Sequence, residues 1–214
     1  DFAALDDADR VAVERSIRDR TLAGVALDDA ARERFKEIAT ELSALQTEFA
    51  SAVLDATDAW TLHVTDEARL AGLSEADRAM MAAAAEARGL TGWVVTLQQP
   101  SVVAVLTFAE DRSLRAEVYR AYGTRASDQG PDAGKFDNGE RIRRILSLRH
   151  EAATLLGFTD PVARSLSTKM APDVAEVLAF LRDLARRARP HAEAEIAELR
   201  GFAAEHLGID ELQP

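Results

Sequence analysis

The chain has 214 residues, of which 47% are hydrophobic and 29% charged, with a formal net charge of -11 and no cysteine. That is enough apolar material for one large or two small globular domains, and it excludes a disordered chain. An acidic chain without a basic stripe has little to offer a phosphate backbone, so no nucleic acid partner is expected, and the absence of cysteine excludes disulfides and thiolate zinc sites.

Alanine is abundant and aromatics make up only 6%. Alanine has the best helix propensity, so the expected class is mainly α, a multi-helix bundle with a small antiparallel β element. No apolar run approaches the ~20 residues that span a bilayer, and no signal peptide is visible; no membrane partner is expected, and a cytoplasmic location is. The chain opens on Asp1 instead of Met and stops abruptly at Leu212-Gln213-Pro214, which reads as a piece of something longer.

Residues 1–92 read as N-terminal helices. Asp6 can cap a first helix to Leu22, with Val11, Ala12, Ile17 and Leu22 at roughly helical spacing and Gly24 as its stop. Asp28 and Asp29 open the longest helix. Its stripe is Phe35, Ile38, Leu42, Leu45, Phe49, Ala52 and Ala56, spaced alternately three and four apart, which must bury against something. A long helix of a globular bundle is preferred over a coiled-coil seam, since Ala52 and Ala56 make a weak zipper end. Trp60, Leu62 and Val64 alternate with Thr61 and His63 as a strand would. Ser74 and Asp77 form a capping-box pattern before a surface helix to about Ala87, ended by Gly89.

Residues 93–138 hold strand-like runs, an Arg/Tyr helix and a polar loop. Trp93–Leu97 and Val102–Phe108 are rich in β-branched residues, and strands are the direct reading of both, although the second could also be a buried loop. Pro100 cannot donate to a ladder and is expected between strands or at an edge. A helix starts at Ser113 and runs through Tyr122. Gly130, Pro131, Gly134 and Gly139 then mark a loop.

Residues 139–214 read as helical. Asp137 and Glu140 have capping-box spacing ahead of a helix to Leu156, stopped by Gly157. Ile142, Ile145, Leu146, Leu148, Ala152, Leu155 and Leu156 give it a wide apolar face that places it centrally in the core. Asp160-Pro161 starts a short helix, with proline at the first helical position. Pro172 is expected to do the same for the next, whose buried stripe is Val174, Val177, Leu178, Leu181, Leu184 and Ala188. Pro190 either kinks one long helix or separates two; Ile196, Leu199, Phe202 and Leu207 continue an apolar face to Gly208.

The nearest approach to a metal motif is His150-Glu151-Ala152-Ala153-Thr154. A zincin needs H-E-x-x-H, because two histidines one turn apart converge on one zinc. Here the fifth residue is Thr154, so a half-exposed His150 beside a surface Glu151 is expected. His191 and Glu195 share a helix face without a third ligand, and His63 and His206 have no partner in sequence. No nucleophile elbow or phosphate loop is present. Tyr119, Arg120, Tyr122 and Arg125 form the most suggestive polar group, since tyrosine and arginine are common at peptide-contacting surfaces. The alternative is structural, with tyrosine hydroxyls at the rim and the arginines paired to Glu117 or Asp128. Tyr119, Tyr122 and Arg125 stand as the candidate substrate-binding residues.

Several long stretches carry a resemblance. LRAEVYRAYGTRASDQGPDAGKFDN (Leu114–Asn138), EIATELSALQTEFASAVLDAT (Glu37–Thr57), TLQQPS (Thr96–Ser101), LRHEAATLLGF (Leu148–Phe158) and SLSTKMA (Ser165–Ala171) follow in order. Together they resemble the oligopeptidase A branch of the thimet oligopeptidase family of zinc metallopeptidases. The resemblance implies a mostly helical fold in which two lobes flank a deep channel that admits short, extended peptides. It also implies a zinc ion held by the two histidines of an H-E-x-x-H helix and a downstream glutamate, with the motif's own Glu as base. None of those residues maps onto this chain. No catalytic or metal-ligating residue is therefore assigned here, no cofactor is expected in this chain, and zinc and short peptides belong to the full-length enzyme.

Two readings follow. The chain is a scaffold portion of a zinc oligopeptidase, inert without its missing C-terminal catalytic region, or it is a non-catalytic helical module that binds peptides or a protein. An H-E-x-x-H beyond Pro214 decides for the first. In the first reading the stripes Val174–Ala188 and Ile196–Leu207 lose their packing partners and leave apolar patches that promote self-association.

Overall fold

The computed structural model describes residues 2 and 5–212; Asp1 and Gln213–Pro214, read above as marks of a cut, lie outside the described residues. Two compact units divide the chain, residues 1–152 and 153–214. The class is mainly α with a small antiparallel sheet, as expected.

In the first unit α1 spans Asp7–Leu22, capped by Asp6, whose carboxylate accepts from the Asp9 N–H at 2.8 Å. Its spaced apolar residues are not a core face, for no residue of α1 is buried. α2 spans Asp29–Ala59 under an Asp28 cap. Its stripe is buried at Ile38, Ala52 and Ala56 and half-buried at Phe35, Leu42, Leu45 and Phe49, so α2 lies along the surface of the unit with one side inward.

β1 (Thr61–Val64) and β2 (Trp93–Thr96) form an antiparallel pair with Thr61 opposite Thr96 and Val64 opposite Trp93. Between them α3 (Glu75–Glu86) begins at the expected capping box, with both reciprocal bonds of Ser74 and Asp77 made. It buries Met81 and Ala85 toward β2 and leaves its remaining face outward.

The run after Pro100 is not a strand. α4 spans Gln99–Phe108, and Pro100 sits in its first turn instead of between strands. Ser101, Val102, Ala104 and Val105 are buried while Val103 is exposed, a helical pattern of burial. The buried Ser101 hydroxyl accepts from the Thr96 N–H at 3.1 Å and joins α4 to the end of β2. A continuous apolar run suits a buried helix and a buried strand equally, and packing overrides β-branched propensity here. α5 (Arg112–Gly123) buries Leu114, Val118 and Ala121. These residues complete the main core with Val64, Leu70, Met81, Val95, Leu97 and Val105.

α6 spans Gly139–Leu155. Asn138, not Asp137, occupies its cap: the Asn138 carbonyl accepts from Ile142 at 2.8 Å, while Asp137 accepts from the Gly139 N–H at 2.8 Å. The apolar face is narrower than its sequence implies. Ile145, Leu148 and Ala152 are buried, but Ile142 and Leu146 are 45% and 58% exposed.

In the second unit Gly157 adopts φ +81° at the end of α6, and the Phe158 N–H returns to the Ala153 carbonyl at 2.9 Å. α7 (Pro161–Leu166) starts with proline under an Asp160 cap. α8 is one helix, Val174–Leu207, with Pro190 inside it. Its cap is Asp173, so Pro172 lies just outside the helix and not at its first position. The stripe expected to be buried is not: Leu178, Leu181, Leu184, Ile196, Leu199 and Phe202 are exposed, and Ala203 is the one buried residue of α8. Among the described residues no helix is long and apolar enough to cross a membrane.

Candidate functional site

α5 and the loop after it hold the residues singled out in sequence. The helix starts at Asp111. Its carboxylate accepts from the Ser113 and Leu114 N–H groups at 2.8 and 3.2 Å and from the Ser113 hydroxyl at 2.6 Å. Arg69 reaches the same carboxylate at 2.9 Å and Glu117 at 2.8 Å, bridging the first two turns of α5 to the short turn at Glu67–Leu70. The Ser113 hydroxyl, then Arg69, hold the Asp111 carboxyl well below the usual carboxylate range, and Asp111 raises Arg69 in turn.

The polar group splits into two parts. Arg125 donates from Nε to the Tyr122 carbonyl and from Nη1 to the Thr57 hydroxyl, both at 2.9 Å, and its guanidinium lies 3.7 Å from the centre of the Tyr122 ring. It therefore ties the C-terminal end of α5 to α2. Neither Glu117 nor Asp128 pairs with it; Glu117 belongs to Arg69. Tyr122 is half-buried against the main core. Tyr119 and Arg120 stand exposed on the outer face of the helix.

The loop is closed at its neck, where the Asn138 N–H meets the Ala126 carbonyl at 3.0 Å. Gly130, at φ +84°, passes so close to Thr124 that a Cβ would sit 1.9 Å from its hydroxyl oxygen. This approach fixes Gly130 and Pro131 as one wall of a cavity of about 370 Å³, whose other walls are Trp60, Thr61 and Leu62 and, on α5, Glu117 and Arg120.

A ladder of ion pairs links α2 to α6. Arg34 makes a two-toothed contact with Glu151 at 2.6 and 2.9 Å, Glu41 accepts from Arg144 at 2.5 and 2.7 Å, and Glu48 from Arg141 at 3.2 Å. The hydrogen bonds from Arg34 and Arg144 hold Glu151 and Glu41 below their ordinary range. Asn138, buried, adds a bond to the Phe49 carbonyl at 3.2 Å. Reading the apolar stripe alone misses this ladder. Its signal in sequence is the heptad spacing of Arg34, Glu41 and Glu48 beside that stripe.

Glu151 is thus half-buried in a structural pair, and His150 is exposed instead of half-exposed. His63 bonds the Thr91 carbonyl at 2.6 Å. His206 lies against Phe202 with ring centres 4.7 Å apart, and His191 and Glu195 occupy exposed positions on α8. Among the described residues no three His, Asp or Glu side chains converge to hold a metal. Without such a cluster the described residues do not offer a zinc ion its set of ligands.

The description "Peptidase family M3" matches residues 105–214, just over half of the chain. Over its whole length the chain is 51% identical to oligopeptidase A of Escherichia coli (strain K12), of which it covers 31%. It is 45% identical to oligopeptidase A of Haemophilus influenzae, again with the whole chain matched and 31% of that protein covered. It is 38% identical over 210 residues to a probable cytosolic oligopeptidase A of Arabidopsis thaliana, with 95% of this chain and 29% of that protein covered. The chain therefore spans about a third of the length of the curated relatives it matches. Likeness of this degree, carried through α5, its loop and every helix after it, means that the chain belongs to peptidase family M3.

Proposed function

We propose that this chain is the N-terminal-side scaffold of a zinc-dependent oligopeptidase that hydrolyses short peptides in the cytoplasm. The observation that supports this reading most strongly is the 51% identity over the entire chain to 31% of an oligopeptidase A. The chain has no H-E-x-x-H, and among the described residues no three His, Asp or Glu side chains converge; both support placing the zinc and its ligands outside this chain. The chain's own work is mechanical. The ladder holds α2 against α6, and the Asp111–Arg69–Glu117 cluster holds α5 against the turn at Glu67–Leu70. Arg125 fixes the end of α5, which presents Tyr119 toward peptide while Tyr122 and Arg125 support it from behind.

The test is hydrolysis of a quenched fluorescent peptide. This chain with added zinc is expected to give no turnover, and the same chain extended to the full length of its relatives is expected to give turnover that a chelator abolishes. Chelator-sensitive turnover by the 214-residue chain, lost in His150→Ala, overturns the scaffold reading; no turnover by the extended protein overturns the peptidase reading.

A further inference from the structure

β1 has a free edge. It pairs with β2 alone, and among the described residues no hydrogen bond beyond that ladder involves the backbone of Thr61, Leu62, His63 or Val64. In an antiparallel pair alternate residues turn both N–H and C=O away from the partner, so this edge presents unpaired donors and acceptors to solvent. Proteins usually blunt such edges with short strands, lysine, proline, a bulge or a covering segment, and of these β1 has, among the described residues, only its four-residue length. Thr61–Val64 has no lysine or proline and pairs in unbroken register. β2, by contrast, is buried at both Val94 and Val95.

The cavity beside Gly130 opens at the start of this edge. Trp60, Thr61 and Leu62 supply the strand side, and Arg120 and Pro131 stand across from it. The Arg120 guanidinium makes no ion pair or hydrogen bond among the described residues, whereas the neighbouring Glu117 is taken up by Arg69. An unpaired guanidinium lining the same cavity as a tryptophan is a local site for a carboxylate and an adjoining apolar group, although the net charge of -11 opposes anions elsewhere on the chain.

We infer that the free edge of β1 takes an extended peptide as a third strand, with a carboxylate of that peptide at Arg120 and an apolar side chain against Trp60. Strand addition supplies affinity through the backbone and leaves side-chain choice to the flanking cavity, which suits a surface that must accept many sequences. The class of ligand rests on the oligopeptidase reading above; the place and mode of binding rest on the edge, the cavity and Arg120. Arg120, selected in sequence as part of the Arg/Tyr group, thereby acquires a role distinct from that of Arg125.

The experiment is fluorescence anisotropy with the 214-residue chain and a fluorescein-labelled heptapeptide that alternates Val and Thr and ends in a free glutamate. Saturable binding is expected. It should weaken about tenfold in Arg120→Ala, an exposed position whose loss leaves the circular dichroism unchanged. Methylating every second backbone nitrogen of the peptide should weaken it by a similar factor without touching the protein. Replacing the peptide's terminal Glu by an amidated Gln should weaken binding to the wild type but not to Arg120→Ala. No saturable binding, or equal binding across these pairs, overturns the proposal, as does an edge occupied by a second copy that the peptide does not displace. The peptidase reading stands or falls separately on turnover by the extended protein.

Discussion

Asp111 shows how one carboxylate can organise a helix start. It caps α5 through two backbone N–H groups, accepts the Ser113 hydroxyl and receives Arg69. Asp111→Ala is expected to destabilise the first unit by about 1–2 kcal/mol, the upper range for a lost cap, as read by urea denaturation near neutral pH. The pH dependence follows from the direction of the shift. The folded-state pKa is depressed, so the stabilisation is present above the unfolded value and is lost as pH falls through the folded one. The stability gap between wild type and Asp111→Asn should therefore be flat from neutral down to about pH 5 and narrow below about pH 4. A gap that widens on acidification would contradict this. Caps at Asp6, Asp28, Ser74 and Asp160 are legible in sequence because they are local. The second partner of Asp111 is not, since Arg69 lies 42 positions away.

α4 and α6 are the elements where local text and tertiary outcome part. The apolar run Val102–Leu106 satisfies a strand and a helix alike, and Pro100 fits a first helical turn as well as a break. Close packing at its far end decides how the chain passes. Gly72, at φ +87°, lies where a Cβ would be 2.1 Å from the Phe108 carbonyl oxygen, and the Ala71 carbonyl receives the Glu110 N–H at 2.9 Å. Gly72→Ala is expected to lower stability by about 1–3 kcal/mol through backbone strain at this crossing, seen as a reduced Tm in thermal unfolding. Leu114→Ala, which empties a fully buried site in α5, should cost about 2–5 kcal/mol in the same measurement. For α6 the wide apolar face is plain in sequence. That burial is confined to Ile145, Leu148 and Ala152 while Ile142 and Leu146 stay exposed is not, because it depends on which distant parts of the chain arrive on that face, as the ion pairs from α2 do.

On the scale of the whole molecule the apolar residues of α8 dominate behaviour in solution. Phe180, Leu181, Leu184, Leu199, Phe202 and Leu207 are each more than half exposed. Exposed apolar side chains of this size and number promote association. The isolated chain is expected to bind a hydrophobic dye and to sediment as more than a monomer. Because copies of net charge -11 repel one another, added salt should strengthen the association. The double variant Leu181→Glu, Leu199→Glu should reduce both effects, and a clean monomer without dye binding in the wild type would count against this account.

The order of the helices, most of their caps, the stop at Gly157 and the strand alternation at Trp60–Val64 were determined by the sequence itself, because each depends on residues within a turn or two of one another. Its long matching stretches likewise carried the family, since many specific residues in one order leave little room for coincidence. Tertiary structure alone decided that Val102–Phe108 is helical, that Arg125 is a structural tie while Arg120 faces a cavity, and that the stripe of α8 is left uncovered. Periodicity states which side of an element is apolar; whether another element arrives to cover that side, and which charged group finds a distant partner, is settled where separate parts of the chain meet.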